Sequence, residues 1–172
     1  IHYANGDIIG LINADDWYEA NIIKRIMNSP NVRNSLKEPA IVYGKTFRVK
    51  MNNEKIEKRN SKLGWAVSVP FSHCSSFATK RYYEEFGLFN NKYKIAMDVD
   101  LLMRGLKKAH YVKTEYFIAN QRDGGISEKQ RLLGYWEYFR IAKNKIGIFA
   151  AFSGYLYKLI IFSLKRIGQS IS

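Results

Sequence analysis

Two adjacent carboxylates, Asp15 and Asp16, follow the apolar run Ile8-Ile9-Gly10-Leu11-Ile12 after Asn13 and Ala14. Neighbouring carboxylates repel each other unless a cation or donor groups lie between them, and their oxygens suit a hard divalent ion such as Mg or Mn. An ion of that kind holds a diphosphate. The same pair also fits a turn ahead of a helix, where acidic side chains satisfy free backbone N–H groups. Asp98 stands where the N-cap of a helix with Leu101, Leu102 and Leu106 belongs; aimed at a cleft, it can instead take a proton from a hydroxyl. His73, within Pro70-Phe71-Ser72-His73-Cys74-Ser75-Ser76-Phe77, reads as a ligand, as a donor to a sugar or phosphate, or as a core histidine.

These groups need elements to hold them. Ile8–Ile12 reads as a strand buried on both faces that delivers Asp15 and Asp16 to its carboxyl end, where the ligand crevice of an open α/β sheet lies. Residues 19–28 place Ile22, Ile23, Ile26 and Met27 at helical spacing, and Ser29-Pro30 is expected to end that helix. A strand over Ala40–Tyr43 continues through Gly44–Met51 to a hairpin turn at Asn52-Asn53. Residues 70–77 read as a strand running into a loop, with Thr79 as N-cap of a helix over Lys80–Phe86. Tyr111–Ala119 is a strand, Asn120–Ile126 a loop, and Ser127-Glu128-Lys129-Gln130 a capping box opening a helix with Leu132, Leu133, Trp136, Phe139 and Ile141. Gly124-Gly125 beside Arg122 would let backbone approach a phosphate, though no nucleotide fingerprint accompanies it.

The 172 residues are the size of one domain, and 47% apolar content suffices for a core; the chain is neither disordered nor fibrous by composition. Lys and Arg number 28 against 15 acidic residues, a formal charge of +13 that points to an anionic partner: nucleic acid, acidic lipid or a phosphorylated substrate. No nucleic-acid motif is recognisable, so nucleic acid is not expected as a partner. Seven basic residues against two acidic ones between Lys45 and Lys62 read as a solvated face. The single cysteine, Cys74, excludes an internal disulfide, reads as a small buried side chain, and makes a reducing cytoplasmic setting the default. Ile1-His2-Tyr3-Ala4-Asn5 has neither an initiator Met nor the features of a signal peptide, and further sequence upstream is expected.

Residues 146–164 are almost wholly apolar and aromatic, broken by Lys158. The dozen residues before Lys158 fall short of the ~20 needed to span a bilayer, so an interfacial helix is expected. Eight basic and two acidic residues between Ser127 and Ser172 suit anionic headgroups; a core-covering or oligomer-forming helix is the alternative.

Together these stretches resemble the family 2 glycosyltransferases of the GT-A fold, particularly bacterial enzymes of surface-polysaccharide biosynthesis. The resemblance rests on Gly6-Asp7-Ile8-Ile9-Gly10-Leu11-Ile12-Asn13-Ala14-Asp15-Asp16-Trp17-Tyr18, Pro70-Phe71-Ser72-His73, Gly87-Leu88-Phe89, Tyr93-Lys94-Ile95 leading to Asp98-Val99-Asp100-Leu101, and Gly124-Gly125-Ile126-Ser127, and covers about residues 3–130. It implies an incomplete GT-A, Rossmann-like mixed sheet flanked by helices, lacking the strands that bind the nucleotide base. Residues 1–130 would form the metal and acceptor half, and residues 131–172 an amphipathic, membrane-proximal helical tail. By resemblance, Asp15 and Asp16 hold the nucleotide sugar's ribose and the divalent metal, Mg or Mn, and Asp98 is the general base. Asn13 stands where many relatives carry a further Asp, and Met97 where many carry Glu. His73, Trp17, Asp100 and Arg122 fall on the acceptor side or behind the site; Asp100 would orient the loop at the helix start, and Arg122 or Lys94 would add positive charge near the phosphates. The implied protein is an inverting transferase moving sugar from a nucleotide-sugar donor, a UDP-sugar, to a saccharide or lipid-linked acceptor, peripheral at the inner face of the plasma membrane. A non-catalytic basic membrane-binding module is the alternative.

Overall fold

The computed structural model describes residue 1, residues 3–58 and residues 62–170, the last three of these by backbone alone; Arg59 of the basic run lies outside the described residues. The chain forms a curled mixed sheet flanked by helices, with a long helix at its carboxyl end. The sheet is built around strand β3 (Ala40–Val49), which runs parallel to β6 (His110–Arg122) with Ala40 opposite His110 and Val49 opposite Arg122. The register shifts around Gly44, where a Cβ would stand 2.6 Å from the Tyr116 carbonyl oxygen; only glycine lets the strands approach there. The other edge of β3 is shared. Strand β5 (Ser76–Thr79) takes its first half, and β4 (Lys55–Lys58), reached by the expected turn at Asn52-Asn53, takes its second. Strand β1 (Ile8–Gly10) lies antiparallel on β5, and β2 (Trp17–Tyr18) antiparallel on β6, giving the order β1-β5-β3-β6-β2.

Two antiparallel steps restore direction, so β1, β3 and β6 all point the same way. The loop of residues 11–16 leaves β1 at one edge and enters β2 at the other, passing the amino end of β5 and the carboxyl ends of β3 and β6. The strand reading of the apolar run is corrected in one respect: β1 is an edge strand of three half-buried residues, and Leu11 and Ile12 are exposed in the loop.

Period-two alternation along β3 sends neighbours to opposite faces. Val42 packs with Phe77, Ile118 and Cys74 against α1 (Ile22–Met27) and α2 (Pro30–Ser35), through Ile22, Ile26 and Val32. Ile41 and Ala78 meet α3 (Lys80–Phe86) and α4 (Met97–Arg104) through Tyr82, Tyr83, Leu101 and Leu102. Full burial of each such aliphatic side chain stabilises the fold by roughly 1.5–3 kcal/mol, and the sheet is thereby covered on both sides. Pro30 begins a helix rather than closing one: at the first helical position its missing N–H is a group that would have had no helical partner. Residues 70–75 form a loop and a short 3-10 turn (His73–Ser75) before the strand β5, the reverse of the expected order, and Thr79 then caps α3 by accepting the Tyr82 N–H at 3.2 Å. Residues Asn120–Arg122 continue β6 instead of starting the loop.

Asp98 lies inside the first turn of α4, behind Ala96 at the cap position, and so does not cap it. The cap comes from elsewhere. Glu137, buried on α6 (Arg131–Ile146), accepts the backbone N–H groups of Lys94, Ile95 and Ala96 at 2.9, 2.8 and 2.9 Å. At the far end, the Tyr82 hydroxyl lies 2.9 and 3.0 Å from the Leu101 and Leu102 carbonyls and accepts the Gly105 N–H. Helix α4 is held at both termini. The short helix α5 (Ile126–Lys129) has Gly125, not Ser127, at its N-cap, since the turn starts one residue before the expected box; Glu128 still reaches back to the Gly124 N–H.

Residues expected as a membrane-proximal tail take part in the core. Tyr138, Ile141 and Ala142 of α6 and Ala151 of α7 (Ile148–Ser170) pack with Ala96 and Met103 of α4. Gly154 brings α7 against the turn at residues 64–67, where a Cβ would fall 1.9 Å from the Ala66 carbonyl oxygen. Lys158 does not interrupt the outer face of α7: its amine sits 3.4 Å from the Tyr138 ring centroid and 5.4 Å from that of Tyr135, and burial pushes it down to about 8. The apolar stretch from Ile148 to Ile167, 20 residues with mean hydropathy 1.4, is therefore long and apolar enough to cross a membrane by length and composition, and only 11% of it is buried.

Burial pushes the Glu137 carboxyl up, but the three N–H groups and the Arg140 charge bring it net below its usual value. A depressed carboxyl stabilises the fold fully above its unfolded value of 4.5 and progressively less as pH falls through the folded value. Glu137→Ala should lose about 3 kcal/mol at pH 7, since three helix-terminal donors lose a charged acceptor, and urea melts should show the gap to wild type shrinking below pH 4.5.

Candidate active site

A cavity of about 860 Å3 opens at the carboxyl ends of β1, β3 and β6. Asp15, Asp16, His73, Asp98 and Arg122 all line it, as do Asn13, Lys94 and Met97. Residues 15, 16 and 98, over eighty positions apart in sequence, thus face one space.

Asp16 is buried at the entrance to β2, and each of its oxygens has a partner: Oδ1 accepts the Arg122 N–H at 3.0 Å, and Oδ2 accepts from the Asn13 amide at 3.1 Å. The first bond ties the loop to the end of β6, and the second closes a turn within the loop. Asp15 is exposed, and its carboxylate has no hydrogen-bond or ion-pair partner among the described residues. A fixed carboxylate beside a free one is a donor set that fits Mg or Mn, ions held by one or two carboxylates with water and substrate phosphates completing the shell. Among the described residues no cluster of three or more His, Cys, Asp or Glu side chains accompanies them.

His73 joins the halves of the site. Its Nδ1 lies 3.3 Å from Asp98 Oδ2, and its Nε2 lies 3.4 Å from the Asn13 amide nitrogen. A polar chain therefore runs Asp98, His73, Asn13, Asp16, Arg122. Asn13 is the bridge. Burial pulls the imidazole's pKa down, but the hydrogen bond and charge of Asp98 more than offset this, and the net direction is up.

The cavity also carries cations. Arg48 pairs with Asp123 and stands 3.7 Å from Glu128, while Lys58 donates to Gln121 at 2.6 Å and is pushed down chiefly by burial. Both belong to the run read from sequence as a solvated face, and both are exposed; hairpin pairing of β3 with β4 also brings them to the wall of the cavity, through a tertiary fold that spacing does not encode. Arg122 also stacks on exposed Trp17, 5.1 Å from the ring centroid, with Lys55 at 5.9 Å from the same ring. Trp17 borders the site without lining it. Asp100, in the first turn of α4, stands behind the cavity and holds Arg104, at 2.8 and 3.2 Å, which in turn donates to the Phe86 carbonyl and ties α4 to α3. Cys74 is fully buried and its thiol is pushed up to about 11, the state of an unreactive core side chain.

No protein-family model matches this chain, and no curated protein matches it.

A raised imidazole stabilises the fold fully below its ordinary value of 6.5, and that contribution is lost as pH rises through the folded value. His73→Gln is expected to be less stable than wild type by up to about 1 kcal/mol at pH 6 and by less at pH 9, as read from urea melts.

Proposed function

We propose that this protein is a metal-dependent inverting glycosyltransferase of the GT-A type, resembling family 2, acting on a nucleotide sugar and a saccharide or lipid-linked acceptor in cell-surface polysaccharide biosynthesis. The observation that carries the reading is the convergence of Asp15, Asp16 and the Asp98–His73 pair on one cavity at the carboxyl ends of parallel-pointing strands. Asp15 and Asp16 would hold the ion and the ribose, and Arg48, Lys58, Lys94 and Arg122 place positive charge around the space a diphosphate needs. A bound Mg or Mn ion supplies charge that offsets the negative charge developing on the departing diphosphate. Asp98 supplies the basic function for the acceptor hydroxyl. Attack from the face opposite the leaving group inverts the anomeric centre.

The outer face of α7 supports a peripheral membrane location. Phe149, Phe152, Leu156, Ile160, Leu164 and Ile167 are exposed at helical spacing, and Lys165 and Arg166 follow near the end. The inner face is committed to α6 and the 64–67 turn, which favours a helix lying in the interface over one crossing the bilayer. The same stripe favours the second reading, a non-catalytic membrane-binding module.

Calorimetry of UDP with Mn separates the two: binding that weakens at least tenfold in Asp15→Asn and Asp16→Asn supports the transferase, and no binding by wild type removes it. Asp98→Asn should retain that binding and lose roughly 10²–10⁴-fold in UDP release from a UDP-sugar. Phe149→Ser with Phe152→Ser should weaken co-sedimentation with phosphatidylserine vesicles at least tenfold, because each buried phenyl stabilises by about 1.5–3 kcal/mol; unchanged binding would remove α7 as the contact.

A further inference from the structure

The donors and acceptors along the Asp98–His73–Asn13–Asp16 chain can be assigned in one self-consistent way. The Asn13 amide nitrogen has two hydrogens; one is given to Asp16 Oδ2, and the other points to His73 Nε2. Nε2 must then carry a lone pair, so the neutral ring holds its hydrogen on Nδ1 and gives it to Asp98 Oδ2. The Asp98 oxygens each have one partner, Oδ2 the His73 ring and Oδ1 the Val99 N–H at 2.8 Å. His73 lines the cavity, and the one lone pair of its Nε2 is met only by the long 3.4 Å contact from Asn13.

We propose that His73 Nε2, oriented by Asp98, is the atom that takes the proton from the attacking hydroxyl. The inference rests on the transferase reading and assigns the basic function to the pair with the imidazole in front. The hydroxyl O–H bond breaks and its proton joins Nε2. The oxygen's electron pair forms the bond to the anomeric carbon, and the bond from that carbon to the diphosphate oxygen breaks with its pair leaving on that oxygen. Asp98 stabilises the imidazolium, as a buried carboxylate does behind a catalytic histidine. Three charged groups act on the ring: Asp98 from α4, Asp16 from the loop before β2, and Lys58 from β4, which opposes the other two. Nε2 has one lone pair, so the hydroxyl displaces the Asn13 N–H from it before the proton moves, while the bond from Asn13 to Asp16 uses the other amide hydrogen.

Nitrogen-15 NMR of the full chain, with the His73 ring assigned by its loss in His73→Gln, tests the orientation without substrate. The expected result at pH 9 is the Nδ1–H tautomer, shifting toward Nε2–H in Asp98→Asn, because an unconstrained imidazole favours Nε2–H. A wild-type ring already in the Nε2–H form overturns the proposal. In UDP release from UDP-sugars with Mn, His73→Gln should lower kcat by roughly 10²–10⁴-fold and abolish an acid limb expected in wild type above the ordinary imidazole value of 6.5. A His73→Gln rate within threefold of wild type, with the limb intact, overturns it and leaves Asp98 as the direct acceptor. If wild type turns over no nucleotide sugar, the transferase reading and the transfer step fall together, while the tautomer still decides whether Asp98 orients the ring.

Discussion

Three backbone N–H groups at Lys94, Ile95 and Ala96 converge on one carboxylate, Glu137, and the position of Asp98 depends on that meeting. Glu137 holds the approach to α4 and its N-cap, Ala96, while inside the first turn Asp98 Oδ1 accepts the Val99 N–H. Without Glu137, the N–H groups of residues 94–96 would have to find water, and Asp98 sits in the turn they lead into. With Glu137, the geometry of the acceptor side is set by a residue forty positions downstream, on a helix packed against α4 through Met103, Tyr138 and Ile141. The positive end of the α4 dipole also meets the negative charge of Glu137 there, which adds to the hydrogen bonds.

The other half of the site is fixed by sheet pairing. Parallel alignment of β3 with β6 brings Val49 level with Arg122, and the Arg122 N–H then holds Asp16. The two halves rest on different elements and meet through His73 and Asn13 alone among the polar contacts described. A rigid sheet end and a clamped helix start joined by one imidazole make an arrangement in which a small movement of the ring is felt on both sides.

Much of this was legible in the sequence. The apolar run before Asp15 marked β1, Asn52-Asn53 marked the hairpin, and Thr79 marked the start of α3, because turns and caps are written in local residue types. What was not legible is what depends on pairing between distant segments. Glu137 looks like any charge on an amphipathic helix until α6 packs on α4. Arg48 and Lys58 are exposed as their run suggests, but nothing in the run says that the hairpin sets them beside the cavity. Asp98 has the residue type of a cap and sits two places too late to be one. Lys158 lowers the hydropathy of its segment although its amine lies under two tyrosine rings, because an average along the chain ignores which side of a helix a residue occupies.

The near contact at Gly154 has a further meaning. With the Ala66 carbonyl pressed into the place a side chain would occupy, α7 has one permitted azimuth about its own axis, and Lys158 in its aromatic seat pins the same angle a turn later. The helix is an outrigger, not a tether. Any surface that engages its phenylalanines meets the whole body in a single attitude, so the mouth of the cavity keeps one bearing relative to that surface.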